Sequence, residues 1–410
     1  MATSPADLHP RGGARYLLYT NECVGLGHLR RTMNLAEAIT GRDSDASALV
    51  ITGAAAAFNE PRHPRIDTVK LPELSRTSEG DLRAARLGMD PLQFHDLRAN
   101  LALAAARSFA PSVALVDKTP LGLNDELVPA LEALRAEGNS RLVLGLRDIE
   151  DAPELVRRRW AGTRLQDTIA RLYDAIIVYG PRPAGDVLDC LGLDDVGVPV
   201  HHVGYVGSPL PATGPADLTP GYLLVAAGGG ADGYPVFDAV LTSLARHPQT
   251  VPVVMVTGPL MPASERAEIR ARAAALGVMV ADSRDDMQSV IVGARGVIAM
   301  AGYNTVSEVV RAGKPMLLLP RTGPSGEQLV RASALRATGT AAMLTLAEAT
   351  PAAMAREIAH LLQREQPTHD PALHDGAARA AAILCELADE NGAASPARRG
   401  GPVLVGAHSR

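Results

Sequence analysis

Residues 297–329 read VIAMAGYNTVSEVVRAGKPMLLLPRTGPSGEQL. The apolar run Val297 to Met300 predicts a buried strand, broken at Ala301-Gly302. A helix starting at Asn304 or Thr305 follows, with Val306, Val309 and Val310 on one face. Gly313 stops that helix, since a glycine takes the left-handed conformation after a last turn at no steric cost. Lys314-Pro315 then leads into a second apolar strand, Met316 to Leu319. After Pro320 a loop of Thr, Gly, Pro and Ser reaches Glu327-Gln328 at the head of another helix. Strand, helix, strand and helix in so short a span make a parallel βαβ unit. Both helix N-termini then sit at the carboxyl edge of the sheet, where unpaired N–H groups and the helix dipole favour an anion such as a diphosphate.

The order of residues in this stretch resembles the donor-binding box of GT-B glycosyltransferases. Both the family of the bacterial peptidoglycan N-acetylglucosaminyltransferase and the UDP-glycosyltransferases of plant secondary metabolism carry it. Gly302, Tyr303, Asn304, Thr305, Glu308, Gly313, Pro315, Pro320, Glu327 and Gln328 fill it in sequence. The resemblance implies that Glu308 binds the ribose hydroxyls, that the loop Gly302 to Thr305 binds the diphosphate, and that Glu327 and Gln328 bind hydroxyls of the donor sugar. Met300 stands where many plant members have a His, so backbone N–H groups would have to serve the phosphates. Thr305-x-x-Glu308 also fits a capping box, in which Glu308 serves only its own helix start.

The rest of the chain sets bounds on this reading. At 410 residues, 47% hydrophobic and 21% charged, it has the composition of a globular protein of two or three domains. A net charge of -5 argues against a nucleic-acid binder, whose affinity comes from neutralising phosphates. Cys23, Cys190 and Cys385 are far apart and form no metal-ligand spacing. Asp43-x-Asp45 sits in a polar turn, and no metal is expected. With no apolar run of signal-peptide length and none of about 18 residues, the expectation is a cytoplasmic protein without a membrane span.

In the first half, a strand at Tyr16 to Thr20 runs into NECVGLGHLRR, residues 21–31, and a helix bearing Leu29, Met33, Leu35, Ala36 and Ile39. Gly25 and Gly27 permit a tight turn that presents His28 at the helix mouth. As a dinucleotide fingerprint the turn is poor. Arg30 stands where the third glycine belongs, and the second strand, Ala48 to Thr52, ends without an acidic residue for a ribose. GT-B enzymes carry a Gly-His pair here, and the resemblance implies that His28 lies near the acceptor nucleophile. Imidazole suits a general base because it titrates near neutrality; packing or helix capping is the alternative. Further strands are expected at Ile66 to Leu71, Val113 to Val116, Leu142 to Leu146 and Ala175 to Val178. Asp117-Lys118 and Arg147-Asp148 each follow a strand, as acceptor or sugar contacts or as helix caps. VDKTPLG and GLRDI, with GLGH, GYNT and EQLxRA, also resemble a group of bacterial predicted glycosyltransferases.

Arg157, Arg158, Arg159 and Trp160 form one basic-aromatic cluster, read as a solvated helix face or a peripheral contact with membrane or acceptor. Residues 201–220, HHVGYVGSPLPATGPADLTP, are dense in Gly and Pro and read as a linker. A second sheet starts at Tyr222 to Ala226. Gly228, Gly229 and Gly230 then allow either close backbone approach to a phosphate or an ordinary tight turn. Strands at Val253 to Val256 and Val278 to Val280 precede the box, and helices at Pro351 to Gln363 and Pro371 to Asp389 close the fold.

The expected fold is α/β, of GT-B type, with two Rossmann-like doubly wound parallel-sheet domains facing a cleft. The expected boundaries are 15–204 for the acceptor side, 205–220 for the linker, 221–365 for the donor side, and 366–390 for a helix returning to the first domain. The expected activity is transfer of a sugar from a nucleoside-diphosphate sugar, with UDP-binding character, to a small-molecule or lipid-linked acceptor. Inversion, no metal and no cofactor beyond the nucleotide-sugar co-substrate are expected. A GT-B nucleotide-sugar epimerase and a non-catalytic sugar-nucleotide-binding subunit are the alternatives.

Overall fold

The computed structural model describes residues 12–21, 27–54, 63–77, 82–160, 165–182, 187–193, 196–323, 325–365 and 373–394. Gly25 and Cys23 lie outside them, as do the side chains of Arg159 and Trp160. The chain divides into two compact units. The first is Met1–Gly145 with Ile169–Ile176 and Ala378–Arg410; the second is Leu146–Thr168 with Ile177–Ala377.

In chain order the strands are β1 (Arg15–Tyr19), β2 (Ser47–Thr52), β3 (Ile66–Lys70), β4 (Leu74–Arg76), β5 (Leu82–Ala84), β6 (Val113–Asp117), β7 (Arg141–Arg147), β8 (Ala175–Tyr179), β9 (Val200–Gly204), β10 (Leu223–Ala226), β11 (Val253–Val256), β12 (Met279–Ala281), β13 (Gly296–Ala299), β14 (Met316–Leu318) and β15 (Ala342–Met343). The helices are α1 (Gly27–Arg42), α2 (Pro91–Phe109), α3 (Val128–Glu137), α4 (Pro153–Trp160), α5 (Leu165–Leu172), α6 (Val187–Leu191), α7 (Tyr234–Arg246), α8 (Ala263–Ala275), α9 (Met287–Gly293), α10 (Tyr303–Arg311), α11 (Glu327–Ala337), α12 (Pro351–Gln363) and α13 (Gly376–Ala394).

Among the described residues the strands form a sheet in the order β3-β2-β1-β6-β7-β8-β9, a second in the order β12-β11-β10-β13-β14-β15, and a hairpin of β4 and β5. β1 pairs in parallel with β2 and β6, and β10 with β11 and β13. Strands covered on both faces must be apolar throughout. VALVD in β6, AIIVY in β8 and GVIA in β13 are buried at every position. In the second unit, α7 and α12 supply Phe237, Val240, Met354, Ile358 and Leu361 to a core shared with Leu223, Met255, Ile298 and Leu317.

Three local features depart from the sequence reading. His201 to Gly204, read as linker, is most of strand β9; its His-His pair carries no hydrophobic signal, and only pairing with a neighbour makes it a strand. The antiparallel β4/β5 hairpin was not foreseen, being two strands of three residues each. Helix α10 begins at Tyr303, with Gly302 as its cap residue. No helix among the described residues is long and apolar enough to cross a membrane.

The first unit buries an ion pair that fixes the loop after β6. Arg98 of α2 reaches Glu126 with Nε and Nη2 at 2.6 and 2.7 Å, and both side chains are 2% exposed, so no water screens them. The Tyr19 hydroxyl donates to Glu126 Oε1 at 2.7 Å and accepts from the Leu123 N–H at 3.0 Å. Burial first, and then the Glu126 charge, push the Tyr19 pKa well up, so Tyr19 stays a donor. Glu126→Ala leaves Arg98 buried without its counter-charge, and chemical denaturation should register a loss of about 3–5 kcal/mol.

Candidate functional site

His28 lies in the first turn of α1, and Arg31 is three residues on, on the same helix face. Asp117 ends β6, the strand next to β1, so the sheet brings its carboxylate to the turn that α1 leaves. The His28 Nδ1 is 2.5 Å from Asp117 Oδ2. Arg31 Nη2 lies 2.7 and 2.9 Å from the two carboxylate oxygens, and its Nε 3.2 Å from Oδ1.

The same Arg31 nitrogen is 2.8 Å from Nδ1. An ionised carboxylate only accepts, so with the ring proton on Nδ1 both His28 and Arg31 donate to Asp117. In that tautomer the lone pair is on Nε2. Burial raises the Asp117 pKa, but Arg31 and then His28 outweigh it and hold the carboxyl well below its usual range. A neutral imidazole with a fixed tautomer is the form that accepts a proton from a hydroxyl. Lys118, Asn124 and Asp125, in the loop that follows, all have left-handed backbones, with φ of 69°, 50° and 62°.

In the second unit the N-terminus of α10 has no side-chain cap. Glu308 is the sixth helical residue, beyond the reach of a capping box, and it is half-buried. Gly302 has ordinary torsions, φ -67° and ψ 143°, and a Cβ there would meet nothing within 4 Å. The fold therefore does not demand this glycine. Gly228 adjoins the same helix start, a Cβ on it coming 3.5 Å from Thr305 Oγ1.

Gly230 is explained by its backbone conformation and packing. Its φ is +87°, a Cβ would lie 2.1 Å from the Thr257 carbonyl, and its N–H already bonds the Ala227 carbonyl at 3.2 Å. Gly229 is less constrained: a Cβ would touch only Leu260. The expectation that the α11 N-terminus also awaits an anion is corrected by the structure, because Asp151 is already there. Its Oδ1 accepts from the Gly326 N–H at 2.8 Å and the Ser325 hydroxyl at 3.0 Å, and Ser325 Oγ accepts from the Glu327 N–H at 3.3 Å.

Arg147 and Asp148 lie with Glu327, in a different unit from His28 and Asp117. Glu327 Oε1 accepts from Arg147 Nη1 at 2.9 Å and from Arg331 Nη1 at 2.8 Å. Arg331 Nη1 also meets the Ala301 carbonyl at 3.1 Å, and its Nη2 meets Asp148 Oδ1 at 3.1 Å and the Ile149 carbonyl at 3.3 Å. Its guanidinium carbon is 5.7 Å from the centre of the Tyr303 ring. Gln328 is buried and accepts from the Arg321 N–H at 3.3 Å. Sequence reasoning missed Arg31, Asp151 and Arg331. The signal for two of them was present: Arg31 follows His28 by three and Arg331 follows Glu327 by four, both helix-face spacings.

Residues 224–382 match the glycosyltransferase family 28 C-terminal domain. Among solved structures, CalG4, the calicheamicin glycosyltransferase, superposes with a TM-score of 0.55 at 18% identity, over 93% of this chain and 98% of its own. Medicago truncatula UGT71G1 complexed with UDP-glucose gives 0.58 at 12%, over 93% and 98%. Acinetobacter baumannii MurG gives 0.57 at 13%, over 93% and 100%. The fold is GT-B. At these identities the structural likeness speaks for the fold of the GT-B chain, and the family 28 domain speaks for sugar transfer. No curated protein sequence matches it.

Two measurements follow from this geometry. Gly302→Ala should leave stability within about 0.5 kcal/mol of the parent. Gly230→Ala should cost about 2–5 kcal/mol from a left-handed alanine and a backbone clash, read by thermal or chemical unfolding. In the first unit, Asp117→Asn and His28→Ala should each lower turnover by about 10² to 10⁴, and the double variant should be little worse than either. Because the Asp117 pKa is depressed, its stabilisation is complete above the ordinary carboxylate range and disappears as pH falls towards the native value. The stability gap between wild type and Asp117→Asn should therefore narrow in acid.

Proposed function

We propose that the GT-B chain transfers a sugar from a nucleoside-diphosphate sugar to an acceptor hydroxyl or amine, in one displacement with inversion and without a metal. His28 Nε2 takes the acceptor proton as the acceptor oxygen or nitrogen bonds to the anomeric carbon. The bond from that carbon to the diphosphate oxygen breaks, and the diphosphate leaves with the electron pair. Its charge is stabilised by the amides and dipole at the start of α10 and by the Gly228–Gly229 turn. Glu308 accepts the ribose hydroxyls, and Glu327 and Gln328 meet the sugar.

The observation that carries this reading is the contact of His28 Nδ1 with Asp117, in a chain whose residues 224–382 match a family 28 domain with an uncapped helix beside an unforced glycine. UGT71G1, solved with UDP-glucose, supports the donor class. An epimerase would need carboxylates ready to exchange protons. Arg31 holds Asp117 in the ionised form, which disfavours that role, and Asp148 and Glu327 are both engaged by Arg331. A non-catalytic subunit would have no use for the His28–Asp117 pair.

Mass spectrometry of the nucleoside diphosphates released from a panel of nucleotide sugars tests the reading, and one donor should be consumed above background. Glu308→Ala should raise the dissociation constant for the matching nucleoside diphosphate by about ten- to a hundredfold. No release from any donor, or unchanged affinity in a folded variant, counts against it.

A further inference from the structure

A departing diphosphate is normally met by a cation as well as by backbone amides. The cradle described above offers no such group from its own stretch, since Met300 ends the strand and Gly302 caps the helix. Nearby arginines are mostly committed. Arg331 is 1% exposed and divided among Asp148, Glu327 and two carbonyls. Arg147 is shared by Glu327 and Glu150. Arg266 is turned onto the carbonyls of Gly258, Pro259 and Met261.

Arg321 differs. It follows β14 by three residues, and its Nη1 lies 2.5 Å from Oδ2 of Asp232, six residues beyond β10. β10 and β14 are the two neighbours of β13, so this pair joins the loops on either side of the strand that leads into Gly302 and α10. The two side chains are 33% and 46% exposed. An ion pair this open to water contributes little and exchanges readily. Its backbone N–H is held by Gln328, so the loop that carries it is fixed while the side chain is paired only with Asp232 among the described residues.

Resting on the donor reading above, we infer that Arg321 is the cation for the donor's diphosphate, held ready by Asp232 and handed over when the nucleotide sugar binds. Arg321 replaces the side-chain contact that Met300 lacks, and Asp232 competes with the ligand for it. The two members of one ion pair therefore act in opposite directions on affinity.

Calorimetry with UDP, GDP, ADP, CDP and dTDP first selects the diphosphate that the wild-type protein binds most tightly. Arg321→Ala should weaken that ligand about tenfold or more and leave the matching nucleoside, which has no phosphate, unchanged. Asp232→Asn should tighten the diphosphate by up to about fivefold. Melting temperatures of both variants should stay near that of the parent. Should Arg321→Ala bind the diphosphate within twofold of wild type, or Asp232→Asn weaken it as Arg321→Ala does, the pair is a loop brace and the inference fails while the donor reading stands. Wild-type protein that binds none of the five diphosphates overturns the donor reading and this inference with it.

Discussion

The second unit depends on neutralising one guanidinium where water does not reach. Arg331 is 1% exposed, and stripping a cation of water costs several kcal/mol unless charge and hydrogen bonds replace it. Asp148 supplies the opposite charge from the end of β7, Glu327 supplies it from one turn earlier on α11, and the carbonyls of Ala301 and Ile149 complete the shell. Each partner is thereby fixed. The turn before α10, the first residue of α11 and the loop after β7 cannot shift independently without leaving a buried charge unpaired. One buried guanidinium thus ties together three segments of the second unit.

The first unit uses the same chemistry more sparingly. Arg31 and His28 meet one carboxylate, and the cation keeps that carboxylate ionised while the imidazole takes orientation from it. Glu126, Arg98 and Tyr19 repeat the pattern behind the following loop, whose left-handed residues are strained and need such an anchor. Buried charge pairs therefore brace loops in both units. Arg321 and Asp232, the exposed pair, are the contrast: open to solvent, their contact is free to exchange.

Two sites expected to receive anions show how far local sequence carries an argument. Both α10 and α11 begin after a glycine at a carboxyl edge, and from sequence the two starts look equivalent. Asp151, about 175 residues earlier, occupies the second one. Likewise three glycines in a row promise a flexible phosphate turn, yet Gly230 is required by its left-handed backbone and by the loop at Thr257 that presses against it.

The sequence by itself determined the class of fold. Apolar runs buried on both faces, glycine stops and βα repeats depend on contacts a few residues apart, and those survive in a linear reading. It also carried the order of residues from Gly302 to Gln328 that resembles a donor box, and the Gly27-His28 pair. Tertiary structure decided what each charge is for. Asp117 as the partner of His28 and Arg321 against Asp232 arise from strand order, which sets side by side residues that the chain separates widely, and Asp148 meets Arg331 from 183 residues away. A short weak strand such as β9 was lost for the same reason, since its hydrogen bonds belong to its neighbour rather than to its own composition.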